Sequence, residues 1–370
     1  MSQIRLPLGM RDLVFEETRK KRELQNRIES IFQSYGYEEV IAPTIEFLET
    51  YQKAFSSLEE QQMYKFFDAK SNTLALRMDM TVPIARICAS KYKEEEGPFR
   101  FRYCANVFKV RESFAGKRSE VTDCGVELIG LDEKSDLEVL CCALDTMKSF
   151  QVFPYTLEIG NSSFFKKACA LLKLPEDKIE TLAQLVDQKS MVDLKDYLSQ
   201  LHLLQKQEDF FLKLPLLNGQ DVLEQAMQIS FDEELKKIVQ KLQSLKENLE
   251  TLGYKDSITF DLGKVPHLDY YTGILFEGYV EGVGTSVLSG GRYDHLLSTF
   301  GKDLPAVGFS IKLDYLLDVI SSKTQKVLYL YYPISRQIEA FQKARELRQE
   351  HVVKLIPYEK EEIKIQEGVQ

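Results

Sequence analysis

The sequence predicts an α+β fold, with an antiparallel sheet flanked by helices, a helical insertion and a short C-terminal α/β piece. Three observations carry this. Two β-rich arms surround a polar turn within residues 98–131, residues 161–257 switch to helical periodicity, and strand patterning returns from Ser257. The implied segments are 1–160 and 258–320 for two parts of one core, 161–257 for the insertion, and 325–370 for a βαβ-like remnant. At 370 residues the chain is too long for one compact core, which agrees with a division into parts.

Taken in order, residues 16–35 read as an amphipathic helix, with Leu24, Ile28, Ile31, Phe32 and Tyr35 at helical spacing. Gly36 follows as a C′ glycine, and Tyr37-Glu-Glu-Val-Ile-Ala-Pro43 is a short β-rich run entering a proline. Phe99 to Lys109 and Val121 to Leu131 are candidate antiparallel strands around a turn at Ser113 to Ser119. Asp132 to Phe150 reads as a helix opened by acidic residues, with Leu137, Leu140, Leu144 and Met147 on one face. Tyr155 to Gly160 is a further strand. Within the insertion, Leu235, Ile238, Val239, Leu242, Leu245 and Leu249 have near-heptad spacing, but three heptads are too few for a coiled coil. After Ser257 a hairpin turns near Glu281-Gly-Val-Gly284. The tail has a strand at Val327 to Tyr332, a helix at Gln337 to His351 and a second strand at Val352 to Pro357.

Composition narrows the function classes. Lys plus Arg number 48 against 57 Asp plus Glu, a formal charge of −9. A protein that grips an RNA backbone usually presents a basic face, so a tRNA partner is not expected. No apolar run has the length of a membrane span, and the start has no secretory segment. Cys88, Cys104, Cys124, Cys141, Cys142 and Cys169 show no C-x-x-C pairing or zinc spacing, so no metal is expected and the thiols read as reduced, in a cytoplasmic protein. His202, His267, His295 and His351 are scattered, and none is given a catalytic role.

Two short motifs narrow the reading further. Leu268-Asp-Tyr-Tyr-Thr-Gly273 is followed by Ser289-Gly-Gly-Arg-Tyr-Asp294, which reads as a glycine-rich turn whose Gly290 and Gly291 permit positive φ. The pair resembles the signature of histidyl-tRNA synthetases. The helix–glycine–strand–proline order around Gly36 resembles motif 1 of the class II synthetases, the element of their dimer interface. The arms at 98–131 resemble motif 2. The resemblance implies a class II synthetase-like sheet of six or seven strands and runs over roughly residues 5 to 318.

The residues for chemistry depart from that family. In motif 2 the pattern Phe-Arg-x-Glu is matched by Phe108-Lys-Val-Arg111, which loses the planar arginine fork and reverses the charge at the acidic position. In motif 3 the pattern Gly-x-Glu-Arg is matched by Lys312-Leu-Asp314-Tyr315, with Tyr315 where an arginine clamps ATP. The arginine that precedes Leu-Asp-Tyr-Tyr by two residues is Pro266 here. Losing one preorganised donor commonly costs about 3 kcal/mol of transition-state stabilisation, so aminoacylation is not expected.

The amino-acid pocket persists. By resemblance, Asp79 and Thr81 of Leu76-Arg-Met-Asp-Met-Thr81 hold a substrate ammonium, and Glu127 of Gly125-Val-Glu127 takes an imidazole N–H. Tyr271 would serve the other side of the ring. Tyr270 and Tyr271 alternate on a strand, so one of the two faces the pocket. Asp123 stands where synthetases have glutamine.

A histidine pocket without aminoacylation chemistry resembles the regulatory subunits of ATP phosphoribosyltransferase, as does Leu157-Glu-Ile-Gly-Asn161 leading into Phe164-Phe165. The resemblance implies a non-enzymatic chain without a cofactor, which activates a short-form ATP phosphoribosyltransferase catalytic subunit and mediates feedback inhibition by histidine. It also implies a dimer within a hetero-octamer. Two alternatives stay open: a divergent histidyl-tRNA synthetase, or another synthetase-like paralogue such as an amino-acid ligase or sensor module.

Overall fold

The computed structural model describes residues 5–55, 60–111, 118–219, 221–265, 271–321 and 326–369. Helix α1 (Phe15–Ser34) buries Leu24, Ile28 and Phe32, which recur every four residues on one stripe. Its end is a Schellman turn. Gly36, at φ +80°, donates to Gln33 O at 2.9 Å, and Tyr37 N–H reaches Phe32 O at 3.1 Å.

The chain then forms β1 (Glu38–Glu39), β2 (Ile45–Phe47), α2 (Leu48–Ala54), β3 (Lys65–Phe67), β4 (Thr73–Leu76) and α3 (Thr81–Lys91). The hairpin arms are β5 (Phe99–Phe108) and β6 (Glu120–Ile129), followed by α4 (Asp136–Ser149) and β7 (Tyr155–Asn161). Six helices come next: α5 (Ser162–Leu172), α6 (Glu176–Asp187), α7 (Met191–Gln200), α8 (Gln205–Lys213), α9 (Val222–Ile229) and α10 (Glu233–Thr251). Strands resume with β8 (Ile258–Phe260), β9 (Ile274–Val280), β10 (Leu288–Arg292) and β11 (Ala306–Lys312). The last elements are β12 (Lys326–Tyr332), α11 (Gln337–Leu347), β13 (Val352–Pro357) and β14 (Lys364–Val369).

Among the described residues the main sheet has eight strands in the order β1-β5-β6-β11-β10-β9-β7-β8, against the expected six or seven. The outermost pairs, β1 with β5 and β7 with β8, are parallel, and every pair between them is antiparallel. The edge strands are short: β1 has two residues within the β-rich run Tyr37 to Pro43, and β8 has three where strand patterning returns after Ser257. Strands β2, β4 and β3 make a separate small sheet.

Strand alternation gives β6 two faces. Cys124, Val126 and Leu128 point to a face packed by helices and are fully buried, while Asp123, Gly125 and Glu127 point to the other. Phe32 of α1 meets Phe309 of β11 edge-on at 5.7 Å between ring centroids. Helix α4 packs on β11 and β7 and buries Val139, Leu140, Ala143, Leu144 and Met147. Each such large apolar side chain contributes about 1.5–3 kcal/mol.

The cysteine expectation needs one correction. Cys104 and Cys124 are direct partners across β5 and β6 and are joined as a disulfide. Strand register brings them together, and no sequence motif marks it. Cys88, Cys141, Cys142 and Cys169 are free thiols, whose burial pushes each above the ordinary thiol range.

The contacts divide the chain into two compact units, one of residues up to 12 with 21–320, the other of 13–20 with those from 321 on. In the second unit β12 pairs parallel with β13 and antiparallel with β14, over a core of Leu330, Tyr332, Ala340, Ala344 and Val353. Among the described residues no helix is long and apolar enough to cross a membrane.

Candidate functional site

The face of β6 that carries Asp123 and Glu127 opens into a cavity of about 1330 Å³ in the first unit. Its wall also includes Asp79, Thr81, Tyr103, Lys109, Arg111, Tyr271, Tyr293, Lys312 and Tyr315, while α6 contributes Glu180 and Gln184. Four of the six residues expected from the pocket resemblance therefore converge with Asp123 on one space, and Tyr270 lies outside the described residues, as do Pro266 and His267.

Glu127 is the most enclosed carboxylate, at 1% exposure. Thr81 Oγ1 donates to its Oε1 at 2.7 Å, and the Tyr293 hydroxyl donates to Oε2. Burial pushes the Glu127 carboxyl up to about 8, opposed by these two hydroxyls, which favour the ionised form. Gly308 is directly opposite in β11, and a Cβ there would stand 1.8 Å from Glu127 Oε2. The glycine makes room for the carboxylate.

Asp79 accepts the Val82 N–H at 3.1 Å, a contact in the first turn of α3 that orients the loop before the helix. Desolvation raises its carboxyl to about 6, and the Lys109 ammonium opposes the shift. Asp123 is 7% exposed, and its Oδ1 is buried without a hydrogen-bond partner. Its carboxyl is also raised to about 6 by burial, against the pull of Lys312 and then Lys109. Burial draws the Lys109 ammonium below its ordinary range.

The start of α5 holds the segment that carries Tyr271. Lys166 Nζ donates to Tyr271 O at 2.8 Å, Ser163 Oγ to Thr272 O at 2.6 Å, and Ser162 N to Gly273 O at 2.9 Å. Asn161 caps α5 by accepting the Ser163 N–H at 2.9 Å, which gives the Leu157 to Asn161 stretch a local purpose.

The expected glycine-rich turn is a strand. Gly290 and Gly291 lie within β10, where close approach rather than positive φ demands glycine. A Cβ at 290 would stand 2.4 Å from Gly308 O, and one at 291 would stand 2.6 Å from the Tyr271 ring. The two signatures are also bonded to each other, because Thr272 Oγ1 donates to Asp294 Oδ2 at 2.9 Å. Arg292 is structural: its guanidinium spans Asp136, Asp294 and the carbonyls of Leu131 and Asp132.

Among the wall residues that the sequence does not mark for the pocket are Tyr293, Tyr103 and Lys312. Tyr293 stands two positions after Gly291 and so shares its face, a signal that alternation could have supplied. Lys312 occupies the glycine position of Gly-x-Glu-Arg. Asp314 is turned to a network in which it accepts from Lys21 at 3.1 Å, Arg118 at 3.3 Å and the Thr122 N–H at 2.7 Å. Among the described residues no group of three His, Cys, Asp or Glu side chains is placed to hold a metal ion. Carboxylates, ammonium groups and phenols around one space suit a small, polar ligand that carries both charges and N–H donors.

A family model described as histidyl-tRNA synthetase matches residues 9–316. An ATP phosphoribosyltransferase regulatory subunit of Caldanaerobacter subterraneus subsp. tengcongensis is 36% identical over 367 residues, covering 96% of this chain and 95% of the relative. Its counterpart from Clostridium botulinum (strain Langeland) is 35% identical over 362 residues, covering 95% and 85%. A solved Bacillus halodurans structure, described as an ATP phosphoribosyltransferase regulatory subunit/histidyl-tRNA synthetase, matches with a TM-score of 0.86 at 31% identity. It covers 95% of this chain and 92% of that one.

Proposed function

Because this chain belongs to the ATP phosphoribosyltransferase regulatory subunit family, built on the histidyl-tRNA synthetase fold, we propose that it is a non-catalytic, histidine-responsive subunit. It activates a separate short-form ATP phosphoribosyltransferase in the cytoplasm and relays feedback inhibition by histidine in the first step of histidine biosynthesis. The observation that carries this is one cavity holding Asp79, Thr81, Glu127 and Tyr271 beside Lys109, Arg111 and Tyr315, which replace the synthetase contacts to ATP. In this reading Asp79 receives the histidine ammonium, helped by a lone pair of the Thr81 hydroxyl whose proton is already given to Glu127. Glu127 and Tyr271 face the imidazole, and Asp123 lines the same space.

Residues 161–257 are read as an insertion between core parts 1–160 and 258–320, with 325–370 as a separate remnant. Dimerisation runs through Gly36 to Thr44, where Ile41 is 85% exposed, and dimers assemble with catalytic chains into a hetero-octamer. Histidine controls the assembly only if it binds two states unequally, since equal affinity shifts nothing.

The description of the Bacillus halodurans protein keeps a divergent synthetase as the second reading. The two separate cleanly. The purified chain is expected to show neither histidine-dependent pyrophosphate exchange nor charging of tRNA, and robust charging would establish the synthetase instead.

A further inference from the structure

The histidine reading gives partners to the ammonium and the imidazole but none to the α-carboxylate, and by resemblance the family's arginine near that group is Pro266 in this sequence. The cavity itself offers a substitute. Lys312 ends β11 directly opposite Asp123 in the register with β6, and both side chains line the cavity. Yet the two are not bonded to each other. Asp123 Oδ1 is buried without a partner, and among the described residues the Lys312 ammonium has neither an ion pair nor a hydrogen bond. Lys109, whose charge acts on both Asp79 and Asp123, is unpartnered in the same sense.

Leaving a buried acceptor unsatisfied beside an unused cation is costly, and natural interiors rarely keep such an arrangement without a role. A zwitterion resolves it, because its two charges are adjacent and opposite. We propose that Asp123 and Lys312 form a split ion pair completed by the backbone of a bound α-amino acid, with the carboxylate on Lys312 and Lys109 and the ammonium shared by Asp123 and Asp79. Lys312 would then replace the missing arginine from a different strand, at a position where the synthetase pattern has no side chain. A single lysine holds a carboxylate as a point charge, without the two-pronged geometry of a guanidinium.

The inference rests on the histidine reading and is tested by calorimetry on the full chain, alone and assembled with a short-form catalytic subunit. Three ligands are compared: histidine, histidinol (carboxylate reduced to an alcohol) and histamine (carboxylate absent). Histidine should bind about ten- to a hundredfold tighter than either analogue, the range for one charge-assisted contact. Lys312→Met should remove most of that preference by weakening histidine alone, and Lys312→Arg should preserve it. Equal affinity of the wild-type chain for histidine and histidinol would overturn the split-pair inference and leave the pocket standing. Equal weakening of all three ligands in Lys312→Met would also overturn it. Failure of the wild-type chain to bind any of the three overturns the histidine reading and this inference together. The wild-type comparison needs no variant, so a folding defect in Lys312→Met cannot obscure it.

Discussion

Replacing Arg292 with methionine is expected to destabilise the first unit by about 3–5 kcal/mol, the cost of removing one partner from a buried ion pair. The guanidinium is 3% exposed and donates to Asp136 Oδ1 from Nε at 2.8 Å and from Nη2 at 2.6 Å. It also reaches Asp294 at 2.9 Å, Asp132 O at 2.8 Å and Leu131 O at 3.2 Å. Methionine fills similar space but leaves the Asp136 carboxylate, at the start of α4, buried without its cation. The pH dependence has a definite sign. Burial already raises the Asp136 carboxyl from 3.8 to about 6, and losing Arg292 raises it further. A folded-state value above the unfolded one means that stability is retained below about 3.8 and lost as pH rises through the folded value. Denaturant unfolding should therefore show a larger deficit at pH 8 than at pH 5. A deficit below about 1 kcal/mol at both would remove Arg292 from its structural role.

The second large effect concerns Glu127. Glu127→Gln keeps the shape but removes the negative charge and one of the two acceptor oxygens that Thr81 and Tyr293 now use. Above about pH 8, where Glu127 is ionised, a charge-assisted contact contributes about 1.5–3 kcal/mol, so histidine inhibition of the complex reconstituted there should weaken by roughly ten- to a hundredfold. The measurement is the inhibitory histidine concentration for both complexes. An unchanged concentration would place the regulatory site elsewhere, on the catalytic chain or between subunits.

What could be read from sequence was what neighbours in sequence determine. Helix α1 with its Gly36 cap, and the arms β5 and β6, followed from local periodicity and turn chemistry. The edge strands β1 and β8 fall within the β-rich run at Tyr37 to Pro43 and the strand patterning from Ser257, but their bounds are not legible, because two or three residues cannot display a period. The Gly290–Gly291 pair was placed in a turn because glycine carries no strand signal, and its reason is contact with Gly308 and Tyr271 from other strands. The same limit hid the Cys104–Cys124 link, the Tyr293–Glu127 bond and the facing of Lys312 with Asp123. All three depend on strand register, which is set by the packed sheet. Asp79, Thr81, Glu127 and Tyr271 were legible only through resemblance, since none of these residue types marks a ligand site by itself.

The most direct test mixes the purified chain with a short-form catalytic subunit, ATP and phosphoribosyl pyrophosphate, and follows phosphoribosyl-ATP with and without histidine. The account predicts that product forms substantially faster with the chain than without it, and that histidine suppresses the rate of the mixed sample. A rate unaffected by the chain, or a stimulated rate indifferent to histidine, would contradict it.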